Sequence, residues 1–410
     1  MDRLGSDTHQ IDRRSFLWSA GAGLAAAGTV LTGHEHAMAQ SLAEKARFDR
    51  LAACSYPLRS LFRTRRRAGR GTGGGGRAVA GESNATGRGQ GQSAASGGPE
   101  GATGGVVVTA PPDRDRTTAA EMKQRYGEIT ALDFPQWTKD NLPGVTRMDL
   151  RSSLFGDVSD DSMYRGATFD PTSAAGKRWL EQLASKLVVT GTRIHHVSNN
   201  APTNLAAADS DLRRAGVQAA KDWLAACKVL GIVSMRMNSP QALGPSIRPN
   251  ATPRGGDGYP RNFELVPLLD AAIESYKEMA DFGGNLGIKV TIENHWGLAA
   301  DPMNIRIILD AVNHPYCEAT PDFCNWEHEH MLFNGLKALA PYATATSQAK
   351  YWDRWGDRND VQRSVRILLA GGFRGVFSLE YEAGSLNGVE GSKYLYKEVL
   401  AALTTPAPAI

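Results

Sequence analysis

The 410-residue chain carries 46 Lys and Arg against 43 Asp and Glu, a formal net charge of +3, and 41% of its residues are hydrophobic. That content is enough to bury a sizeable core, as two or three average domains or one large barrel, and the near-balanced charge gives no global argument for a nucleic-acid partner. The cysteines Cys54, Cys227, Cys317 and Cys324 have neither zinc-type spacing nor the density of a disulfide framework, so they are read as thiols, Cys324 beside the candidate site below.

In chain order, Asp12-Arg13-Arg14-Ser15-Phe16-Leu17 precedes an apolar Ala/Gly-rich run from Leu17 to Leu31, then Ala37-Met38-Ala39 before Gln40. A charged start, a short apolar centre and a small-x-small end make a secretory signal. Its Arg-Arg-x-Phe-Leu core resembles the twin-arginine export signal. Residues 1–39 are therefore expected to be removed. The mature chain is expected to begin near Gln40, in the periplasm or outside the cell, with the twin-arginine machinery as its export partner. The apolar run is too short and Gly-rich for a membrane span, and no other segment is expected to span after signal removal. An ordinary N-terminal helix is the alternative.

Arg50 to Pro57 reads as a first strand. From about 64 to 118 the composition shifts to Gly, Arg, Ser and Ala, which cannot bury enough surface to offset the entropy of ordering. This stretch is expected to be a disordered insertion after strand one. Its start, Arg63 to Arg70, resembles Arg/Gly segments that bind RNA non-specifically, but a tolerated loop expansion is favoured and no specific nucleic-acid partner is assigned. Beyond it, strand and helix patterns alternate. Helices are expected over 131–142, 173–188, 211–230, 265–282, 302–312, 327–339, 360–370 and 390–403. Strands are expected over 145–150, 192–199 and 232–238, then at 290–293 and with ends at Asp322, near Gln348 and at Glu380.

Eight strands alternating with helices predict a single-domain α/β fold, a (β/α)8 TIM barrel over 40–410 interrupted by the insertion. An open doubly wound sheet is disfavoured, because no Gly-rich phosphate fingerprint follows strand one. Polar residues end the later strands at Glu293, Asp322, Gln348 and Glu380, about 30 residues apart, the length of a strand-plus-helix unit. Strand C-terminal ends share one face of such a barrel. Asp149, His195, Asn199, Arg236 and Asn238 are expected around the same mouth. Of His195-His196, one side chain is expected to face inward and one outward, with a structural role. Arg236 is balanced between substrate binding and a buried ion pair with Asp149. Glu382 is read as a rim carboxylate.

Ile292-Glu-Asn-His-Trp-Gly297, Thr320-Pro-Asp-Phe-Cys-Asn325, Gln348-Ala-Lys350 and Leu379-Glu-Tyr-Glu-Ala-Gly384 together resemble the xylose-isomerase-like barrel family, the superfamily of sugar phosphate isomerases and epimerases. The resemblance implies one divalent cation held by Glu on strand five, Asp on strand six, His on strand seven and Glu on strand eight. Glu293, Asp322 and Glu380 match. Gln348 stands where the histidine would be, and Asn325 stands where ketose epimerases commonly carry a substrate-binding His. The resulting all-oxygen set of Glu293, Asp322, Gln348 and Glu380 suits Mn²⁺ or Mg²⁺ better than Zn²⁺.

The chemistry expected is that of a metal-dependent sugar isomerase or epimerase. Glu293 and Glu380 would serve as general base and acid on either side of an enediolate. Asn325, Lys350, Arg236, His295 and Asn238 are the expected substrate-binding residues for a small carbohydrate. Two alternatives stay open: a lyase or hydratase acting on 3-keto sugars or glycosides at the same site, and a non-catalytic carbohydrate-binding barrel. A DNA-repair endonuclease of the same barrel class would need more strand-end histidines. Homo-oligomerisation is left open.

Overall fold

A computed structural model describes residues 43–65, 113–237, 264–295, 297–326 and 328–404. The signal segment, most of the insertion, Asn238, Trp296 and Glu327 lie outside the described residues. The described residues from Lys45 onward form one compact unit.

Eight strands make one sheet: β1 Leu51–Cys54, β2 Arg147–Arg151, β3 Arg193–Ser198, β4 Ser234–Arg236, β5 Lys289–Glu293, β6 Cys317–Thr320, β7 Thr346–Trp352 and β8 Val376–Ala383. Every pairing within it is parallel, in the order β6-β5-β4-β3-β2-β1-β8-β7. Just beyond β6 an isolated parallel bridge joins Asp322 to Gln348 of β7. Bonds from Gln348 N to Pro321 O (2.9 Å) and from Phe323 N to Gln348 O (3.2 Å) close the remaining seam. This is the expected α/β TIM barrel.

The helices are α1 Ala119–Tyr126, α2 Phe134–Asn141, α3 Ala174–Thr190, α4 Ser210–Cys227, α5 Val266–Leu286, α6 Pro302–Val312, α7 Met331–Leu339, α8 Val361–Ala370 and α9 Gly388–Thr404. Local chemistry fixes their ends. Asp301 caps α6 by accepting from Met303 N, Pro302 occupies the first turn, and Asn313 closes it at φ 45°. α5 does not stop at Gly283-Gly284, where the composition suggested. It continues to Leu286 and ends on Gly287 at φ 75°. A Cβ on Gly283 would lie 2.6 Å from the Ile288 carbonyl, so this glycine serves close helix-to-strand packing rather than termination. α7 starts at Met331, later than the expected 327.

Both described margins of the expected insertion are tied to the barrel. Arg63 pairs with Glu128 (3.0 Å), and Arg65 pairs with Asp161 (2.5 Å) and lies over the Tyr164 ring. On the return side Arg114 pairs with Asp353, Asp115 N donates to Gly384 O (2.7 Å), and Thr118 caps α1 in a capping box with Glu121. Arg63 and Arg65 are thus committed to intramolecular acids.

The apolar core lies between sheet and helices. Val290, Ile292, Ala319, Ala349, Phe377 and Leu379 alternate along their strands and join it. The other set of side chains turns to the barrel axis and is polar, where such barrels usually carry Val, Ile and Leu. Ser234 Oγ meets Thr346 Oγ1 across the axis at 3.1 Å, and Gln348 Nε2 donates to Asp149 Oδ2 at 2.8 Å. At the other end Lys289 and Glu318 pair at 2.6 Å, with Ala345 N donating to Glu318. Each hydrophobe buried in the outer layer stabilises by about 1.5–3 kcal/mol, so that layer carries the fold.

His195 and His196 both face inward, contrary to strict alternation. The β2–β3 register slips between Met148/Ile194 and Asp149/His196, so His195 sits in an irregularity. His195 Nε2 reaches Ala345 O (3.2 Å) and its Nδ1 meets Arg147 Nη1 (3.3 Å), placing it near the strand N-termini and not at the mouth. His196 Nδ1 meets Ser234 Oγ at 2.7 Å. Burial lowers His195 to about 4 and His196 to about 3. Between pH 6.5 and these values the unfolded chain binds protons that the folded chain refuses, so these groups remove stability as pH falls through that window. His196→Gln is expected to lower the slope of stability against pH, between about pH 6 and 4, by up to about 1.4 kcal/mol per pH unit. Urea unfolding at stepped pH measures it, and an unchanged slope would exclude this source.

Candidate active site

The site is built from consecutive strands, of which β7 runs past Gln348 to Trp352 and β8 past Glu380 to Ala383, beyond the ends expected from the sequence. Arg236 ends β4, Glu293 ends β5, Asp322 follows β6, Gln348 and Lys350 lie on β7, and Glu380 and Glu382 lie on β8. Because each strand alternates, these side chains fall on the axial face while their neighbours enter the core. Arg236 Nη1 donates to Glu293 Oε2 at 2.6 Å, and its Nη2 donates to Asn200 Oδ1 at 2.6 Å. Arg236 therefore pairs with Glu293, not in direct contact with Asp149. Asn325 Nδ2 bridges Glu293 Oε1 (3.1 Å) and Asp322 Oδ2 (2.9 Å). Lys350 Nζ lies 2.9 Å from Glu380, 3.0 Å from Glu382 and 3.7 Å from Asp322. His295 Nε2 is 3.8 Å from Glu293 Oε1.

Asp322 is held from both sides. Cys324 N and Asn325 N donate to its Oδ1 at 2.6 and 2.8 Å. The side chain of Asn294 imitates a neighbouring strand: its Oδ1 accepts from Asp322 N (2.7 Å) and its Nδ2 donates to Asp322 O (3.0 Å). Asn294→Ala would leave two buried backbone groups unpaired, at about 1–3 kcal/mol each. The expected result is a loss of about 2–6 kcal/mol in chemical denaturation. A loss below about 1 kcal/mol would show that solvent or the chain replaces both bonds.

Burial raises the Glu293 carboxyl, opposed by Arg236 and aided by Glu380. Burial likewise pushes Asp322 well up, with Lys350 opposing it and Glu380 and Glu293 adding to it. For Lys350 burial favours the neutral amine, but Glu380, Glu382 and Asp322 outweigh it and hold the ammonium charged. Burial also works against Glu382, yet Lys350 and Arg59, with hydrogen bonds from Lys350 and Tyr56, bring it down to about 2.

Among the described residues no three His, Cys, Asp or Glu side chains are gathered into a ready-made metal cluster. The Lys350 ammonium lies among Asp322, Glu380 and Glu382, and Arg236 takes one oxygen of Glu293. The donor set still fits a hard divalent cation on two counts. Four carboxylates, those of Glu293, Asp322, Glu380 and Glu382, converge there with the Arg236 guanidinium and the Lys350 ammonium, a set rich in hard oxygen donors. In addition, Gln348 Oε1 is buried and has no hydrogen-bond partner among the described residues.

Some of the site was not foreseen. Glu382 is no mere rim group. Tyr56, just past β1, donates to Glu382 Oε1 at 2.9 Å, and Arg59 and Arg151 lie 4.2 and 4.8 Å from the Tyr56 ring centroid. The only hint in the sequence was a Tyr-Pro at a strand end. Asn199, expected at the mouth, turns its Oδ1 back to Ala201 N (2.9 Å). Asn200 is the neighbour that reaches Arg236. Trp326 is buried against Gly335 and serves the core. Cys324 is buried, its thiol 3.1 Å from Lys350 O.

The sequence profile of the Xylose isomerase-like TIM barrel family matches residues 157–405. The chain belongs to that family. No curated protein matches it. Among solved structures, a Xylose isomerase-like TIM barrel protein from Mycobacterium smegmatis in complex with magnesium is similar at 16% identity and TM-score 0.45, covering 67% of this chain and 91% of that one. A 3-keto-D-glucoside 4-epimerase from E. coli is similar at 12% identity and TM-score 0.47, covering 65% and 94%. An L-ribulose 3-epimerase is similar at 12% identity and TM-score 0.47, covering 66% and 88%.

Proposed function

We propose that this family member is an exported, divalent-metal-dependent sugar isomerase or epimerase. The observation that carries the reading is the pair Glu293, at the end of β5, and Glu380, within β8, on one mouth and linked through Asn325, Asp322 and Lys350. Two carboxylates from well-separated strands can address opposite faces of a small substrate. A divalent cation held by Glu293, Asp322, Gln348 and Glu380 would supply polarisation of the substrate carbonyl. One glutamate takes the proton from the carbon beside that carbonyl, and the electron pair moves to oxygen to give an enediolate. The other glutamate returns a proton to the opposite face, inverting the carbon. Lys350, charged and next to Glu380, and Asn325, between Glu293 and Asp322, are the groups that would orient substrate hydroxyls. Asn238 and His295 keep the substrate-binding role read from the sequence.

The same enediolate can instead expel a β-hydroxyl or alkoxide, which would make the protein a lyase on 3-keto sugars or glycosides. Export by the twin-arginine route to the periplasm or beyond belongs to the same proposal and rests on residues 12–39. It favours free or glycosidic sugars over phosphorylated ones. The test is metal analysis of the purified protein, followed by incubation in heavy water with a panel of ketoses and 3-keto sugars. One divalent cation per chain and deuterium at the carbon beside the carbonyl are expected. Neither cation nor exchange would sink the reading.

A further inference from the structure

We infer that Asp149, on β2 and across the barrel from the seam, is the positioning residue that aims Gln348 Oε1 at the cation site. This rests on the cation-dependent reading above. Asp149 is fully buried beneath the mouth and belongs to no part of the proton transfer. Its carboxylate gathers donors only: Gln348 Nε2 at 2.8 Å, Ser378 Oγ at 2.8 Å, Ser198 Oγ at 2.9 and 3.1 Å, and the Cys54 thiol at 4.0 Å.

An amide has one end that donates and one that accepts. Asp149 Oδ2 accepts from Gln348 Nε2 at 2.8 Å, so the NH₂ end of the amide faces Asp149 and the carbonyl end faces away. The carbonyl end is the one that is buried without a hydrogen-bond partner among the described residues. Gln348 Nε2 also stands 3.4 Å from Ser198 Oγ, so that end of the amide is held on two sides. The backbone of Gln348 is pinned as well, since it bridges Asp322 across the seam. Glutamine lacks the rigid ring of the histidine that the family pattern places here. An outer carboxylate therefore does for the amide what it does for a metal-bound imidazole, fixing which atom faces the ion.

The test uses the metal-stripped mature chain and Mn²⁺ binding followed by calorimetry, with unfolding midpoints as the control on folding. Asp149→Asn offers its own NH₂ and lets the amide turn, so Mn²⁺ affinity is expected to fall about 10–100-fold. Ser378→Ala, which removes a neighbouring donor but not the acceptor, should leave that affinity unchanged. In a Gln348→Glu background both side-chain oxygens are acceptors, so adding Asp149→Asn should no longer weaken binding. Equal Mn²⁺ affinity in the wild type and Asp149→Asn overturns the inference and leaves the cation reading standing. Absence of Mn²⁺ and Mg²⁺ binding by the wild type overturns both. If Asp149→Asn does not fold, Gln348→Met keeps the shape without the oxygen, and retained affinity there overturns the inference.

Discussion

Under the proposed function, Glu380→Gln and Glu293→Gln each lower epimerisation by about 10²–10⁴-fold, the usual contribution of a placed general acid or base. Both changes keep the side-chain shape. The second expectation is more specific. If each carboxylate serves one face, a variant lacking one should still exchange deuterium into one epimer and not the other. Glu293→Gln and Glu380→Gln should then retain opposite epimers. Exchange into both epimers at wild-type rate by either variant would remove that residue from the proton path. Loss of Mn²⁺ binding in parallel would instead point to a ligand role alone.

Lys350→Met should produce the largest stability change in the site. The ammonium is buried and lies within 3.7 Å of three carboxylates. Removing one partner of a buried pair leaves uncompensated charge, at about 3–5 kcal/mol. The thermal midpoint of the variant in chelator should fall accordingly. Added Mn²⁺ should recover more stability in the variant than in the wild type, since Asp322, Glu380 and Glu382 have lost the ammonium they share. A midpoint unchanged in chelator would show that the carboxylates are protonated or solvated instead.

The fold was legible because its signals are local and repeated. Strand and helix patterns alternate, and helix ends such as Asp301-Pro302 and Gly231 declare themselves through capping chemistry. The candidate carboxylates were legible for a related reason: a charge at the end of an apolar strand is costly unless something meets it. What each charge meets was not legible. Arg236 is one residue type whether it pairs with Asp149 or with Glu293, and only the closed barrel decides. Tyr56 and Glu382 are far apart in sequence and meet because β1 and β8 are neighbours. Alternation predicted one inward histidine of His195-His196. The register slip that turned both inward depends on the pairing partner, which no single strand encodes.

The bridge that closes the barrel joins Asp322 to Gln348, two residues of the proposed cation set. A ligand that binds the closed form and not the open one adds its binding energy to closure by mass action. Seam and ion would then form one thermodynamic unit: opening β6 from β7 releases the ion, and loading the ion suppresses that opening. A barrel fastened this way has its weakest interstrand contact beside its chemistry. Its resistance to local unfolding would follow the free divalent-ion concentration of whatever compartment surrounds it.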